Sequence, residues 1–346
     1  MRKLATIRRI DAVRPIPDAD AIECAVIGGW SVVIKKGEYR AGDVAVYCEI
    51  DSWIPHELAP FLSKGQEPRE FDGIRGERLR TVKLRGQLSQ GLLLPFTAST
   101  AIQIGAGPGA RFTDYIGVDV SELLGIVKYE PPIPAQLAGE VKGPFPGYIS
   151  RTDQERIQNL TEEFAQWQFE ESRWEVTEKL DGCSMTAYVR DGEFGVCSRN
   201  LELRRNDTNS LWRAAIAQNL EAIILSTGRN LALQGELIGE GIQSNLYKLK
   251  GQKFYLYDIF DIDLGRYLLP EERDALFNSN HNFKVLRVPL LATERSLAST
   301  VEELLQWAEG KSELNPAVER EGVVFKRHGS NASFKAISNL FLLREK

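Results

Sequence analysis

The stretch Glu178-Lys179-Leu180-Asp181-Gly182 sets a lysine and two acids at the end of an apolar, strand-like run and closes it with a glycine. A lysine held between such a strand and a glycine turn is immobile and partly desolvated, which suits its amine to nucleophilic attack on phosphorus. Attack needs the neutral amine. From an ordinary value near 10.4, deprotonation at neutral pH costs roughly 4 kcal/mol, so burial and nearby positive charge must lower that cost. Taken alone, K-x-D-G is loosely constrained and reads more readily as a surface strand ending in a turn.

It does not stand alone. Ser198-Arg199-Asn200 follows, then Gln234-Gly235-Glu236-Leu237-Ile238-Gly239, then Phe254-Tyr255-Leu256-Tyr257-Asp258-Ile259. Glu321-Gly322-Val323-Val324-Phe325-Lys326 and Ser333-Phe334-Lys335 come last. This ordered series resembles the collinear motifs of the covalent nucleotidyltransferase superfamily: ATP-dependent DNA and RNA ligases and mRNA capping enzymes. The resemblance covers roughly residues 150–340. It implies an α+β nucleotidyltransferase domain of the ATP-grasp-like ligase type, with Lys179 carrying AMP.

The resemblance also assigns roles. Moving AMP from ATP to a lysine builds negative charge on the α-phosphate and the leaving pyrophosphate, so fixed positive charge is the main catalytic resource. Lys326 and Lys335 would supply it at the α-phosphate, and their charge would help depress the pKa of Lys179. Asp181, Glu236 and Glu321, from separate strands, would repel one another unless they hold a hard divalent cation, Mn or Mg, through its waters. Tyr257 stands where the family stacks an aromatic ring on adenine, followed by the matching Asp258. Glu178 matches an acid that accepts the adenine amino group, and Arg199 an arginine near the nucleotide or the reacting RNA end. Arg156, on the first helix expected in this domain, would face the pyrophosphate. One departure stands out: the first position of the last motif, a lysine in many relatives, is Ser333 here.

Only 11 residues follow Lys335, too few for the OB domain that DNA ligases and capping enzymes place there. The pattern is similar to an RNA ligase family with an N-terminal OB domain before a minimal nucleotidyltransferase domain. That family implies ATP and a divalent metal as cofactors, and RNA or an RNA-containing nicked duplex as partner, with no oligomer required. The implied activity is the sealing of 3′-hydroxyl and 5′-phosphate ends, as in nick sealing and RNA repair. Two rivals stay open: a DNA-sealing ligase of minimal architecture, and a non-catalytic OB-containing RNA-binding protein.

The elements that must position these residues divide the chain in two. Segments Ala21–Ile27, Trp30–Lys35, Val44–Ile50, Arg80–Leu84 and Gly91–Phe96 are short, rich in Val, Ile and Leu, and punctuated by Gly and Pro. They predict an OB-like β-barrel over residues 1–126; an SH3-like barrel would read much the same. Residues 127–150 hold prolines at 131, 132, 134, 144 and 146, a stiff linker composition. Residues 151–346 then form the adenylyltransferase domain. Thr152 and Glu155 fit a capping box, and Ile157, Leu160, Phe164 and Trp167 follow at helical spacing, predicting a helix over 153–170. Strands are expected at Trp174–Glu178, Met185–Arg190, Phe194–Ser198, Leu231–Leu237, Phe254–Ile259, Gly322–Lys326 and Ser333–Ile337. Helices are expected at Leu211–Leu225, Pro270–Phe277 and Thr300–Glu309.

Composition bounds the rest. At 346 residues, 43% hydrophobic and 26% charged, the chain suits two globular domains. A net charge of −5 argues against a protein that coats nucleic acid by bulk electrostatics, but not against an enzyme that grips a few phosphates. Four cysteines without a C-x-x-C pair give neither a zinc site nor a disulfide framework, and are expected as small buried residues. No apolar run approaches membrane-spanning length and no secretory stretch opens the chain, so a cytoplasmic protein is expected.

Overall fold

Alternation of buried and outward side chains governs the amino-terminal strands. In Trp30–Lys35, Trp30, Val32 and Ile34 are buried while the residues between them turn outward. The computed structural model describes residues 3–107, 109–130, 140–151 and 153–344. It divides the chain into two compact units, Met1–Pro132 and Ile133–Lys346.

The first unit is built of short antiparallel strands. Val44–Cys48 lies between Ala5–Arg9 and Leu92–Pro95, and Ala12–Pro15, Ile22–Ile27 and Trp30–Lys35 form a meander. A third sheet runs in the order Val127–Lys128, Ser52–Pro55, Ile74–Arg78, Arg69–Phe71. Ala5, Ile7, Val46, Cys48, Ile54 and Phe96 are core residues here, and Tyr47 Oη donates to the Gln90 carbonyl at 2.8 Å. Val127–Lys128 and Val141–Pro144 are strands. Both ends of the expected linker therefore carry sheet structure; Pro131, Pro132 and Pro134 lie outside the described residues.

The second unit carries two sheets. The larger is antiparallel, in the order Val141–Pro144, Leu201–Leu203, Glu193–Cys197, Cys183–Arg190, Leu231–Gly239, Gln252–Asp261, Arg266–Tyr267. The smaller runs Glu155–Arg156, Ser333–Ile337, Gly322–Arg327, Trp174–Lys179, Leu290–Arg295. Each sheet buries one face under helices. Met185, Ala187, Leu233 and Phe254 of the larger sheet pack with Trp212, Leu220 and Ile224 from the helices Ser210–Ala217 and Leu220–Leu225. Trp174, Val176, Val323, Phe325, Phe334 and Ala336 of the smaller sheet pack with Trp167 and Leu304 from Thr161–Phe169 and Val301–Ala308. Phe325 and Phe334 stack at 4.7 Å between centroids, and Trp167 stacks on Phe334 at 5.7 Å. Aromatic burial of this kind contributes most of such a core's stabilisation.

Two helix expectations need correction. The helix predicted over 153–170 begins at Thr161, because Glu155–Arg156 pairs in parallel with Phe334 and Lys335 and a 3-10 turn follows over Ile157–Asn159. Sheet pairing outweighs the local helical pattern there. Glu155 Oε1 accepts from Arg156 N at 2.7 Å and from Asn159 Nδ2 at 3.1 Å; Thr152, the other half of the expected capping box, lies outside the described residues. The single helix expected over 211–225 is two, broken at Asn219, whose φ of 51° is left-handed. Asn tolerates that conformation better than most residues.

Candidate active site

Strand alternation places the chemistry. Trp174, Val176, Val323, Phe325, Phe334 and Ala336 point into the core of the smaller sheet, so their neighbours Glu175, Thr177, Lys179, Lys326 and Lys335 share its opposite face. Arg156 pairs with Lys335 and joins that face. On the larger sheet Leu231, Leu233 and Leu237 are core, which turns Gln234 and Glu236 to the other side. Glu236 comes within electrostatic reach of Lys179 across these two faces, with Glu321 and Asp181 beside it.

Lys179 ends its strand opposite Gly322. A side chain at Gly322 would set its Cβ 2.3 Å from the Ala336 carbonyl oxygen, and one at Gly182 would set it 2.4 Å from that of Leu237. Both glycines therefore serve close backbone approach. Lys179 Nζ donates to Glu321 Oε1 at 2.6 Å. Burial alone would lower the Lys179 pKa, but Glu321, Glu236 and Asp181 together outweigh it and hold the amine above its ordinary value. Lys326 and Lys335, expected to help depress it, are not among its main influences. Burial also pushes the Glu236 carboxyl up to about 8; Lys179 opposes the rise, while Glu321 and Asp181 add to it. Among the described residues no group of three or more His, Cys, Asp or Glu side chains is gathered tightly enough to cage a metal ion. Glu321 Oε2 is nonetheless buried with no hydrogen-bond partner among those residues.

Lys326 sits elsewhere on the same face. It stands opposite Glu175, four positions along the strand from Lys179, about 13 Å at the usual strand rise. Only 6% exposed, it pairs with Asp258 Oδ1 at 2.8 Å and donates to the Tyr257 carbonyl. Arg273 joins them, 3.6 Å from Asp258 and paired with Glu175. Burial lowers the Lys326 pKa, with Asp258 opposing. The Tyr257 carbonyl is reachable because Gln234 pairs with Asp258 while Gly235 pairs with Leu256, leaving Tyr257 as the extra residue of a β-bulge. Bulges re-aim side chains, and the half-buried Tyr257 ring lies 6.0 Å from Lys326 Nζ. A cavity of about 210 Å³ adjoins this cluster, lined by Gln154, Asp258, Arg273, Lys326, Asn331 and Ser333 among others. Sequence reading did not single out Arg273; its place one turn into a helix opened by Pro270 carried no signal of its own.

The remaining candidates fall into two places. Glu178 is 1% exposed: its Oε2 accepts from Glu313 N at 2.9 Å, its Oε1 is buried without a hydrogen-bond partner among the described residues, and burial raises its pKa against hydrogen bonds from Ser312 and Glu313. Lys335 and Arg199 both reach Asp153, at 3.2 and 3.5 Å. Arg156 is buried on its short strand rather than on a helix. Of the cysteines, Cys24, Cys48 and Cys197 are buried, Cys183 is partly exposed, and all four are free.

A strand that ends in a lysine facing carboxylates, after a β-unit of short strands, is shared with a known class of proteins. An OB-fold domain family matches residues 4–96 and the RNA ligase family matches residues 172–337. The chain belongs to the RNA ligase family. Among solved structures it is similar to Naegleria gruberi RNA ligase. The form with PPi is 49% identical with a TM-score of 0.89, covering 100% of this chain and 99% of that one. A mutant form with AMP and Mn is likewise 49% identical at 0.89, covering 99% and 98%. A mutant with ATP and Mn gives 49% and 0.88, with 98% of each chain covered. None of the curated proteins matches. The expected two-part architecture, OB-fold unit then nucleotidyltransferase unit, is the one observed. No described helix is long and apolar enough to cross a membrane.

Proposed function

We propose that this RNA ligase seals nicks in RNA-containing duplexes with ATP, through AMP held on Lys179. The lysine amine attacks the α-phosphorus of ATP, forming the N–P bond as pyrophosphate leaves. AMP then passes to a 5′-phosphate, and a 3′-hydroxyl displaces it to close the strand. The supporting observation is one lysine at a strand end, hydrogen-bonded to Glu321 and within electrostatic reach of Glu236 and Asp181. Chemistry of this kind depends on positioning and charge neutralisation.

Asp181, Glu236 and Glu321 fit a divalent cation by chemistry: hard oxygen donors, like charges crowding one another, and a buried Glu321 oxygen lacking a partner. They do not form a ready cage, which suits an ion that keeps part of its water shell. Mn or Mg bound there would neutralise charge developing on the phosphates. With their charge engaged, the three acids would no longer hold the Lys179 proton. Glu178 Oε1 is suited to accept the adenine amino group, and Tyr257, re-aimed by its bulge, to stack on the base. Lys335 and Arg199, both drawn to Asp153, are suited to a phosphate that displaces that carboxylate, and Arg156 beside Lys335 to pyrophosphate. Lys326 acts at one remove, holding the Tyr257 carbonyl. The first unit serves as a nucleic-acid platform, and four free cysteines suit the cytoplasm.

Incubation with labelled ATP and Mn, then denaturing electrophoresis, tests the first step: an acid-labile, base-stable label on the protein is expected. Nicks differing by one deoxynucleotide at the 3′-hydroxyl end test the substrate. A site that hydrogen-bonds the terminal 2′-hydroxyl rejects the deoxy end by several orders of magnitude. Equal sealing of both would favour the DNA-sealing rival.

A further inference from the structure

Strand pairing stops at Lys179 and resumes at Cys183, so residues 180–182 turn without a ladder to fix them. The loop from 240 to 251 stands over that turn. It joins neighbouring antiparallel strands, Leu231–Gly239 and Gln252–Asp261, for which about two residues would suffice. Its excess length is structured. Asn245 and Leu249 exchange hydrogen bonds at 3.1 and 3.2 Å, and Asn315 Nδ2 donates to the Leu246 carbonyl at 2.8 Å. Gln243, Asn245 and Lys248 hold left-handed backbone at φ of 45°, 45° and 52°. Such conformations persist only where surrounding contacts over-determine them, and they gather at functional sites.

Two side chains of this loop reach the turn. Tyr247 is 5% exposed, its ring packed with Leu180, Ile238, Tyr255 and Val288. Its Oη accepts the Asp181 backbone N–H at 2.6 Å. Gln243 Nε2 donates to the Gly182 carbonyl at 3.2 Å. The turn is thereby held at the Asp181 N–H and, one residue on, at the Gly182 carbonyl.

We propose that Tyr247 and Gln243 are positioning residues for lysine adenylylation, clamping the Leu180–Gly182 turn so that Lys179 and Asp181 keep the geometry in-line attack requires. The proposal rests on the reading of Lys179 as nucleophile. Its physical basis is that small misplacements of a reacting group cost far more in rate than in stability or binding. The clamp acts on the chemical step, not on ATP affinity.

The test is single-turnover transfer of AMP from labelled ATP to the full-length protein, with Mn, across ATP concentrations. Tyr247→Phe keeps the ring and removes the acceptor. It should slow the step roughly tenfold at saturating ATP, the worth of one hydrogen bond made to a constrained group. The ATP concentration giving half-maximal rate should change less than twofold, and the thermal midpoint should stay near that of the wild type. Gln243→Ala, at an exposed position, should slow the step about threefold, and the double variant should lose less than the product of the two. A wild-type rate for Tyr247→Phe, or a loss seen only as weaker ATP dependence, overturns the clamp. Should Tyr247→Phe fail to fold, a wild-type rate for Gln243→Ala overturns it instead. Lys179→Ala in the same assay separates the two ideas: label persisting there defeats the nucleophile reading, whereas its absence beside normal Tyr247→Phe labelling defeats only the clamp.

Discussion

Lys179 and Lys326 lie on adjacent antiparallel strands, share one face of the smaller sheet, and have their pKa values pushed in opposite directions. Both are drawn down by burial. Lys326, with Asp258 as its paired carboxylate and Arg273 close by, stays below the ordinary lysine value. Lys179, facing Glu321, Glu236 and Asp181, is held above it. The count and sign of neighbouring charges, not depth, decide the direction. Their surroundings differ accordingly: Lys326 sits in a buried network with Asp258 and Arg273, whereas Lys179 faces three acids.

The largest expected effect sharpens that division. Lys179→Ala should abolish AMP labelling while leaving the thermal midpoint within a few degrees of wild type, as read by gel and by calorimetry. Lys326→Met should do the reverse in order of severity. Leaving Asp258 buried without its nearest cation should destabilise the fold by about 3–5 kcal/mol in denaturant titration. If Lys326→Met folds with wild-type stability yet does not label, Lys326 belongs with Lys179 after all.

Next come the carboxylates around Lys179. Asp181→Ala, Glu236→Ala and Glu321→Ala should each lower adenylylation by about 100-fold or more, and pairs should lose little beyond the singles, because the three act as a unit. Two of them retaining near-normal rates would sink the shared-metal reading.

The smallest effect is a pH dependence. In Asp258→Asn the lysine loses its nearest anion, so its folded-state pKa should fall further below the unfolded value. The unfolded chain then binds the extra proton over that window, and stability rises as pH rises toward the ordinary lysine value near 10.4. The denaturant midpoint should therefore rise more between pH 7 and pH 9 in the variant than in wild type. A flat difference would mean that Lys326 stays charged without Asp258.

Much of this was legible in the chain. Trp30–Lys35 and Ser333–Ile337 are strands with the bounds expected of them, and the other expected strands around the motifs match to within a few residues. Strict period-two alternation makes such runs readable without knowing their partners. The motifs that placed Asp181, Glu236 and Glu321 together fit their shared influence on Lys179, whereas Lys326 lies with Asp258 instead. One failure came where a distant partner overrode a local preference, Glu155–Arg156 pairing with Phe334 and Lys335 instead of opening a helix; the other came from the left-handed backbone of Asn219, which broke the helix around it.

What the sequence alone determined, then, was a set of candidate residues by type, one lysine before a glycine turn, three acids and two further lysines, all on or beside strands. What only the tertiary structure decided was which charge faces which. Lys326 met Asp258 because an extra residue at Tyr257 freed a carbonyl for it, and Arg273 entered from a helix bearing no motif. Tyr247 reached Asp181 from a loop more than sixty positions away in the chain. Electrostatic energies depend on separations of a few ångströms between residues remote in sequence, and no local pattern encodes those distances.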